Sequence, residues 1–420
     1  MEEISQQPVY IVNILLIFTG GRMDRFSKFI AILIVFSSLA SIPSTAGAEE
    51  ITQAGNRFAF NLLSHIVEQN GQDNIFFSPL SIDMALTITF NGADGETRDA
   101  MARVLELNGF KLPDINEYNH RLLERLESDH SNSRLNIANS IWIEKSFPVN
   151  KDFTDTVASN YNSEIVNLPF DQAAVNRINQ WVSDRTNARI KHMIDRLDPD
   201  AAMVLLNAIY FKGQWKYEFT KRLSMIRDFY LINGDTTPIP MMTQTEKFMY
   251  AESDGVQVVE LPYSGDDLSM LILLPDKDKP YDEFTRNITD QKINDLKNQL
   301  SLLKGTVTIP KIELDYELNL NDVLKSMGMG IAFEPKANFR KMIQPGQSGL
   351  YIGDVLHKAF VKINEEGTEA AASTAVIMMK ATSFNPEETF TFTADHPYLF
   401  IIQDNASGTI LFMGSITNPK

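Results

Sequence analysis

Residues Ala201 to Phe211 form an almost unbroken apolar run, interrupted only by Asn207. A segment apolar on every side suits a β-strand buried on both faces. Such a strand needs a layer packed on each side of it. Asn207 must also find a partner there, because an unsatisfied buried amide costs about 1–3 kcal/mol.

The flanking segments supply the layers. Phe58, Leu62 and Ile66 fall at helical spacing, with Leu63 and Val67 beside them. Ser78-Pro79 reads as a helix cap with proline in the first turn. Asn91 to Gly95 is a turn before another helix. Leu135, Ile137, Ile141 and Ile143 alternate as a strand does. Val175, Ile178, Val182, Ile190, Met193 and Ile194 predict a helix over 172–197. The second half is mostly strands. Val256 to Leu261 and Leu268 to Leu274 flank one hairpin turn; Tyr398 to Ile402 and Thr409 to Met413 flank another. Thr306 to Leu314 is a further strand. This order reads as α+β rather than alternating α/β. With no long linker and no repeat, 49–420 reads as one domain.

The chain carries a net charge of −16. That argues against nucleic acid or an anionic membrane as partner. The absence of cysteine excludes disulfides, thiolate metal ligands and a thiol nucleophile. The histidines at 65, 120, 130, 192, 357 and 396 show no metal-ligand spacing. No Gly-x-Ser-x-Gly elbow and no His-Glu-x-x-His motif occurs, so the chain does not read as an enzyme and calls for no cofactor or metal.

At the N-terminus, Met23-Asp-Arg25-Phe-Ser-Lys28 is a basic start, Phe29 to Ala40 is mostly apolar, and Ala46-Gly47-Ala48 suits a signal peptidase. Residues 23–48 therefore read as a signal peptide on a secreted protein, extracellular or periplasmic. The apolar stretch is shorter than the roughly 20 residues a membrane span needs, which leaves no membrane partner after cleavage. Residues 1–22 read as an extension or a mis-assigned start.

One stretch fits no core element. From Gly367 to about Pro386 the chain has neither helix caps nor a core-facing stripe, and it is too apolar for a solvated linker. No proline occurs between Gly367 and Asn385, and the first charge after Gly367 is Glu369. It has the character of a strand without a sheet.

Several segments, in order, resemble the serpin family of serine protease inhibitors over nearly all of 51–420. Asn74 to Ser81 is similar to the start of the family's second helix. Leu206 to Trp215 is similar to its central strand. His357-Lys358 followed by Glu365 to Ala372 is similar to the strand and hinge that lead into a reactive-centre loop. Asp395 to Phe400 and Leu411 to Gly414 resemble the closing strands.

The resemblance implies three β-sheets, eight to nine helices and an exposed reactive loop at about 365–390. It implies a metastable, monomeric, irreversible suicide-substrate inhibitor whose cleaved loop inserts into its central sheet; the alternative is a non-inhibitory member of the family acting as a carrier, chaperone or partner-binding protein. By the same resemblance Glu365, Glu366, Gly367, Thr368, Glu369, Ala370, Ala371 and Ala372 form the hinge. Ser78, Ser81, Asn207 and His357 form a shutter beneath the sheet opening, and Trp215 and Lys311 a breach where the loop enters, with Lys311 a partner for Glu365. The bond attacked would be Ala381–Thr382, with Met379 and Lys380 as alternatives. Small Ala381 points to an elastase-like or subtilisin-like serine protease as partner. An inserted loop must alternate faces; Thr368, Ala370 and Ala372 would face the core and Glu369 the solvent.

Overall fold

A computed structural model describes residues 45–70, 73–127, 133–198, 201–368 and 389–420. The chain opens with α1 Thr45–Asn70, β1 Ile75–Phe77, α2 Pro79–Gly92, α3 Gly95–Val104 and α4 Leu112–Leu126. There follow β2 Ser133–Glu144, α5 Lys151–Tyr161, β3 Glu164–Leu168, α6 Gln172–Arg185 and β4 Met203–Gln214. Next come β5 Met225–Tyr230, β6 Thr236–Ser253, β7 Val256–Pro262, β8 Leu268–Pro275, α7 Tyr281–Asn287 and α8 Asp290–Lys297. The remainder comprises β9 Ser301–Pro310, β10 Ile312–Asn319, α9 Asn321–Leu324, β11 Asp354–Asn364, β12 Gly367–Thr368, β13 Thr389–Thr393, β14 Tyr398–Asp404 and β15 Ile410–Ile416. Nine α-helices thus occur among the described residues, and the class is α+β. Glu49–Lys420 forms one compact unit.

The apolar run lies in β4, at the middle of a six-stranded sheet of order β10-β11-β12-β4-β2-β3. Val204, Leu206 and Ala208 on one face of β4 pack with Val175, Ile178 and Val182 of α6. Leu205 on the other face joins a core with Phe58 and Leu62 of α1 and Ile82 and Leu86 of α2. Both faces are covered because both carry side chains that water would reject; each such side chain contributes about 1.5–3 kcal/mol when buried.

The second network has nine strands, ordered β1-β15-β14-β8-β7-β6-β9-β13, with β5 on β6. β6 is eighteen residues long. Its Thr236–Met241 part pairs with β5, its middle with β9, and its last residues with β7. The three sheets implied by resemblance are two hydrogen-bonded networks here, because β6 runs unbroken through both parts of the larger one.

Two expectations need correction. The helix predicted over 172–197 ends at Arg185, and Asn187 and Ala188 take left-handed φ of 52° and 58°. Thr186 Oγ1 then accepts from Ile190 N at 3.1 Å. Ile190, Met193 and Ile194 still bury beside Val175 and Ile178, so their spacing reported burial rather than helix. The strand predicted over Thr306–Leu314 is two strands. Pro310 lacks a donor for the ladder, and Lys311 N turns aside to Pro240 O at 3.0 Å.

Candidate functional site at the head of the six-stranded sheet

Ser78 caps α2: its side chain accepts from Ser81 N at 3.2 Å, and Pro79 opens the helix without a wasted donor. This fixes both serines under the middle of the sheet. Register then aligns three polar residues across three strands. Asn207 of β4 lies opposite Asn139 of β2 and opposite His357 of β11. All five side chains are buried.

The five satisfy one another. Asn207 Nδ2 donates to Ser81 Oγ and to Asn139 Oδ1. Asn207 Oδ1 accepts from His357 Nδ1, and His357 Nε2 accepts from Ser78 N at 3.3 Å. Ser78 Oγ donates to Leu411 O at 2.6 Å. These partners fix the imidazole as the neutral Nδ1–H form. Burial with no countercharge pushes the His357 pKa down to about 3. The cluster therefore holds three strands to α2 with hydrogen bonds between neutral groups.

Toward the head of the sheet, β11 and β4 pair directly and in parallel from Asp354/Val204 to Phe360/Tyr210. Beyond that point β12 lies between them. Thr368 sits opposite Ile363 of β11 and Gly213 of β4; Gly367 sits opposite Asn364 and Gln214. The fit demands glycine. Gly367 has φ of +148°, and a Cβ on it would lie 2.1 Å from Gly213 O. Thr368 is fully buried and shares a 2.8 Å hydrogen bond with Tyr263 Oη.

A collar of contacts surrounds the turn before β12. Trp215 N donates to Glu366 O at 3.0 Å, and Trp215 Nε1 to Asn364 O at 3.0 Å. The indole stacks on Tyr263 with centroids 4.7 Å apart. Asn364 Oδ1 accepts from Glu366 N and Gly367 N. Lys311 Nζ lies 2.5 Å from Glu365 Oε1, which also accepts from Ser224 Oγ at 2.7 Å. Lys221 Nζ donates to Glu366 Oε1 at 2.5 Å. Burial tends to raise the Glu365 pKa, but the hydrogen bonds from Lys311 and Ser224 and the charge of Lys311 outweigh it, and the net direction is down.

The structure thus brings Ser78, Ser81, Asn207 and His357 into one cluster, and Trp215, Lys311, Glu365, Glu366, Gly367 and Thr368 into another. Glu369, Ala370, Ala371, Ala372, Met379, Lys380, Ala381 and Thr382 lie outside the described residues. Sequence reasoning missed Asn139, Tyr263, Lys221 and Ser224. Asn139 had a signal: it fills the vacant place in the alternation Leu135, Ile137, Ile141, Ile143. The other three become partners only through the fold.

Comparison with known proteins gives a consistent result. The family model Serpin (serine protease inhibitor) matches residues 53–419. An uncharacterized serpin-like protein of Methanosarcina mazei is 35% identical over 380 residues, 88% of either chain. Antithrombin-III of Mus musculus is 35% identical over 388 residues, covering 88% of this chain and 82% of its own. Among solved structures, the thermophilic serpin Tengpin in the native state superposes with a TM-score of 0.82 at 30% identity, over 90% of this chain and 95% of that one. This chain belongs to the serpin family.

Proposed function

We propose that the protein is an irreversible suicide-substrate inhibitor of serine proteases, secreted after loss of a signal peptide at 23–48 and acting as a monomer. The observation that carries the reading is the seat of β12. Gly367–Thr368 pairs with β11 on one side and β4 on the other, at the point where those strands part. The residues that follow contain no proline up to Asn385 and, after Glu369, no charge up to Lys380. Continuing the ladder through them would place a central strand between β4 and β11. Each added hydrogen bond contributes about 0.5–1.5 kcal/mol net, so cleavage of the loop would release the chain into a more stable state. A protease still acylated to the loop would be carried along.

On this reading the attacked bond is Ala381–Thr382, with Met379 and Lys380 as neighbouring alternatives, and the small Ala381 suits elastase-like or subtilisin-like pockets. The test is incubation with elastase-, subtilisin-, trypsin- and chymotrypsin-like enzymes. The expected outcome is an adduct that survives denaturing electrophoresis, with a released peptide beginning at Thr382. The nicked protein should melt well above the intact one. Clean cleavage with no adduct and no thermal gain would instead favour a non-inhibitory carrier.

A further inference from the structure

The sequence holds two Asn-x-Ser/Thr triplets, Asn287-Ile288-Thr289 and Asn405-Ala406-Ser407. Such a triplet is an acceptor for N-linked saccharide on proteins that leave the cytoplasm. The fold gives the two triplets opposite surroundings.

Asn287 ends α7 and Thr289 caps α8. The link between the helices is extended: Ile288 has φ −72° and ψ 135°, and Thr289 has φ −137° and ψ 162°. In an extended chain, residues two apart fall on the same side. Ile288 is accordingly turned into the apolar core and is 6% exposed, while Asn287 and Thr289 are both exposed. The Asn287 side chain forms no hydrogen bond among the described residues; Lys292 Nζ donates to its backbone carbonyl instead, at 2.8 Å. Thr289 Oγ1 accepts from Lys292 N at 3.3 Å, which does not use the hydroxyl proton. Asn287 also lines an open cleft of about 410 Å³ beside α7 and α8, which leaves room for a bulky group.

Asn405 lies in the turn between β14 and β15, closed by a bond from Gly408 N to Asp404 O at 2.8 Å. Its Oδ1 accepts from Ser269 Oγ at 2.7 Å, and its Nδ2 donates to Asp266 O at 2.9 Å. Ser407 Oγ donates to Asp404 Oδ2 at 2.6 Å and accepts from Arg125 Nη2 at 3.0 Å. A saccharide on Asn405 would compete with the bonds that hold this turn. On Asn287 it would compete with none.

We propose that Asn287 is a site of N-linked glycosylation and that Asn405 is left bare. The donor is a lipid-linked oligosaccharide, delivered by a membrane-bound transferase. A bond forms between Asn287 Nδ2 and C1 of the first sugar. The bond from C1 to the lipid phosphate oxygen breaks, that oxygen keeps the electron pair, and the amide proton passes to the transferase. The proposal rests on the export reading above, because this donor is used outside the cytoplasm.

The experiment takes the protein from the cells that naturally make it and from their medium, as wild type, N287Q, T289S and N405Q. Mass spectrometry reads the N-terminus and the tryptic peptide 287–292, which Arg286 and Lys292 delimit. The expected wild type starts at Glu49 and carries a saccharide mass on Asn287 in most molecules. N287Q should lose that mass entirely. T289S keeps the hydroxyl and should keep the saccharide, and N405Q should match the wild type. A chain that starts at Glu49 with peptide 287–292 bare would overturn the proposal while leaving export intact. A saccharide on Asn405 with none on Asn287 would overturn it equally. A chain found only inside the cell, with residues 23–48 still attached, would remove the export reading and this proposal with it.

Discussion

The two clusters along the β4–β11 seam solve one problem in opposite ways. Under the middle of the sheet, Ser78, Ser81, Asn139, Asn207 and His357 are buried and neutral, and bonded to one another. At the head of the sheet, the buried carboxylates of Glu365 and Glu366 are held by Lys311 and Lys221, whose side chains are 35% and 64% exposed. The difference follows from access to water. An ion pair broken deep inside leaves an uncompensated charge, which is strongly destabilising. An ion pair with one partner at the surface lets that partner rehydrate when the pair breaks, which lowers the cost. The seam is therefore joined by neutral groups within and by ion pairs only where one partner, the lysine, reaches solvent.

The largest effect should come from Asn207→Ala. It would strand Ser81 Oγ, Asn139 Oδ1 and His357 Nδ1–H at once, each at about 1–3 kcal/mol. We expect a loss of about 3–5 kcal/mol in urea unfolding. A loss below about 1 kcal/mol would mean that the cluster is not what holds the seam.

Acid should act next, and unequally on the two clusters. His357 in the folded protein titrates near 3, whereas in the unfolded chain it titrates near its usual value of about 6.5. Between these values the unfolded chain binds the proton and the folded one does not, so stability is lost as pH falls from about 6.5 toward 3. The slope is about 1.4 kcal/mol per pH unit, or about 2 kcal/mol by pH 5. The Glu365 pKa is lowered on folding, so its contribution is lost only as pH falls below the usual glutamate range. His357→Gln should flatten the unfolding profile between pH 6.5 and 5, and an unchanged slope would transfer the effect elsewhere.

The smallest effect belongs to the head of the sheet. Glu365→Gln should cost about 1 kcal/mol, because Lys311 is partly solvated. That cost should shrink as salt is raised, while the cost of Asn207→Ala should not. Equal salt dependence of the two variants would erase the contrast between the clusters.

Much of this was legible in the sequence. The run from Ala201 to Phe211 announced a strand covered on both faces, and Asn207 within it announced a buried polar partner. The two hairpins and the Ser78-Pro79 cap were carried by turn and cap chemistry that acts over a few residues. What was not legible is set over longer range. The end of α6 at Arg185 depends on left-handed Asn187 and Ala188, which periodicity cannot see because Ile190 and Met193 bury regardless. The Pro310 break between β9 and β10 was written in the sequence but outweighed by apolar residues on both sides. Tyr263 meets Thr368 across more than a hundred residues, and nothing local in either marks the other.

The seating of Gly367 and Thr368 bears on kinetics. The costly part of adding a strand is its beginning, when chain ends are brought together before many contacts form. Gly367 and Thr368 are already lodged between β11 and β4, so on the inhibitor reading proposed above the beginning of the new ribbon would be complete. Lengthening it would be a matter of elongation, one residue after another in a set register. The speed of the change would then depend on how readily the seam below unzips rather than on any search for a starting point.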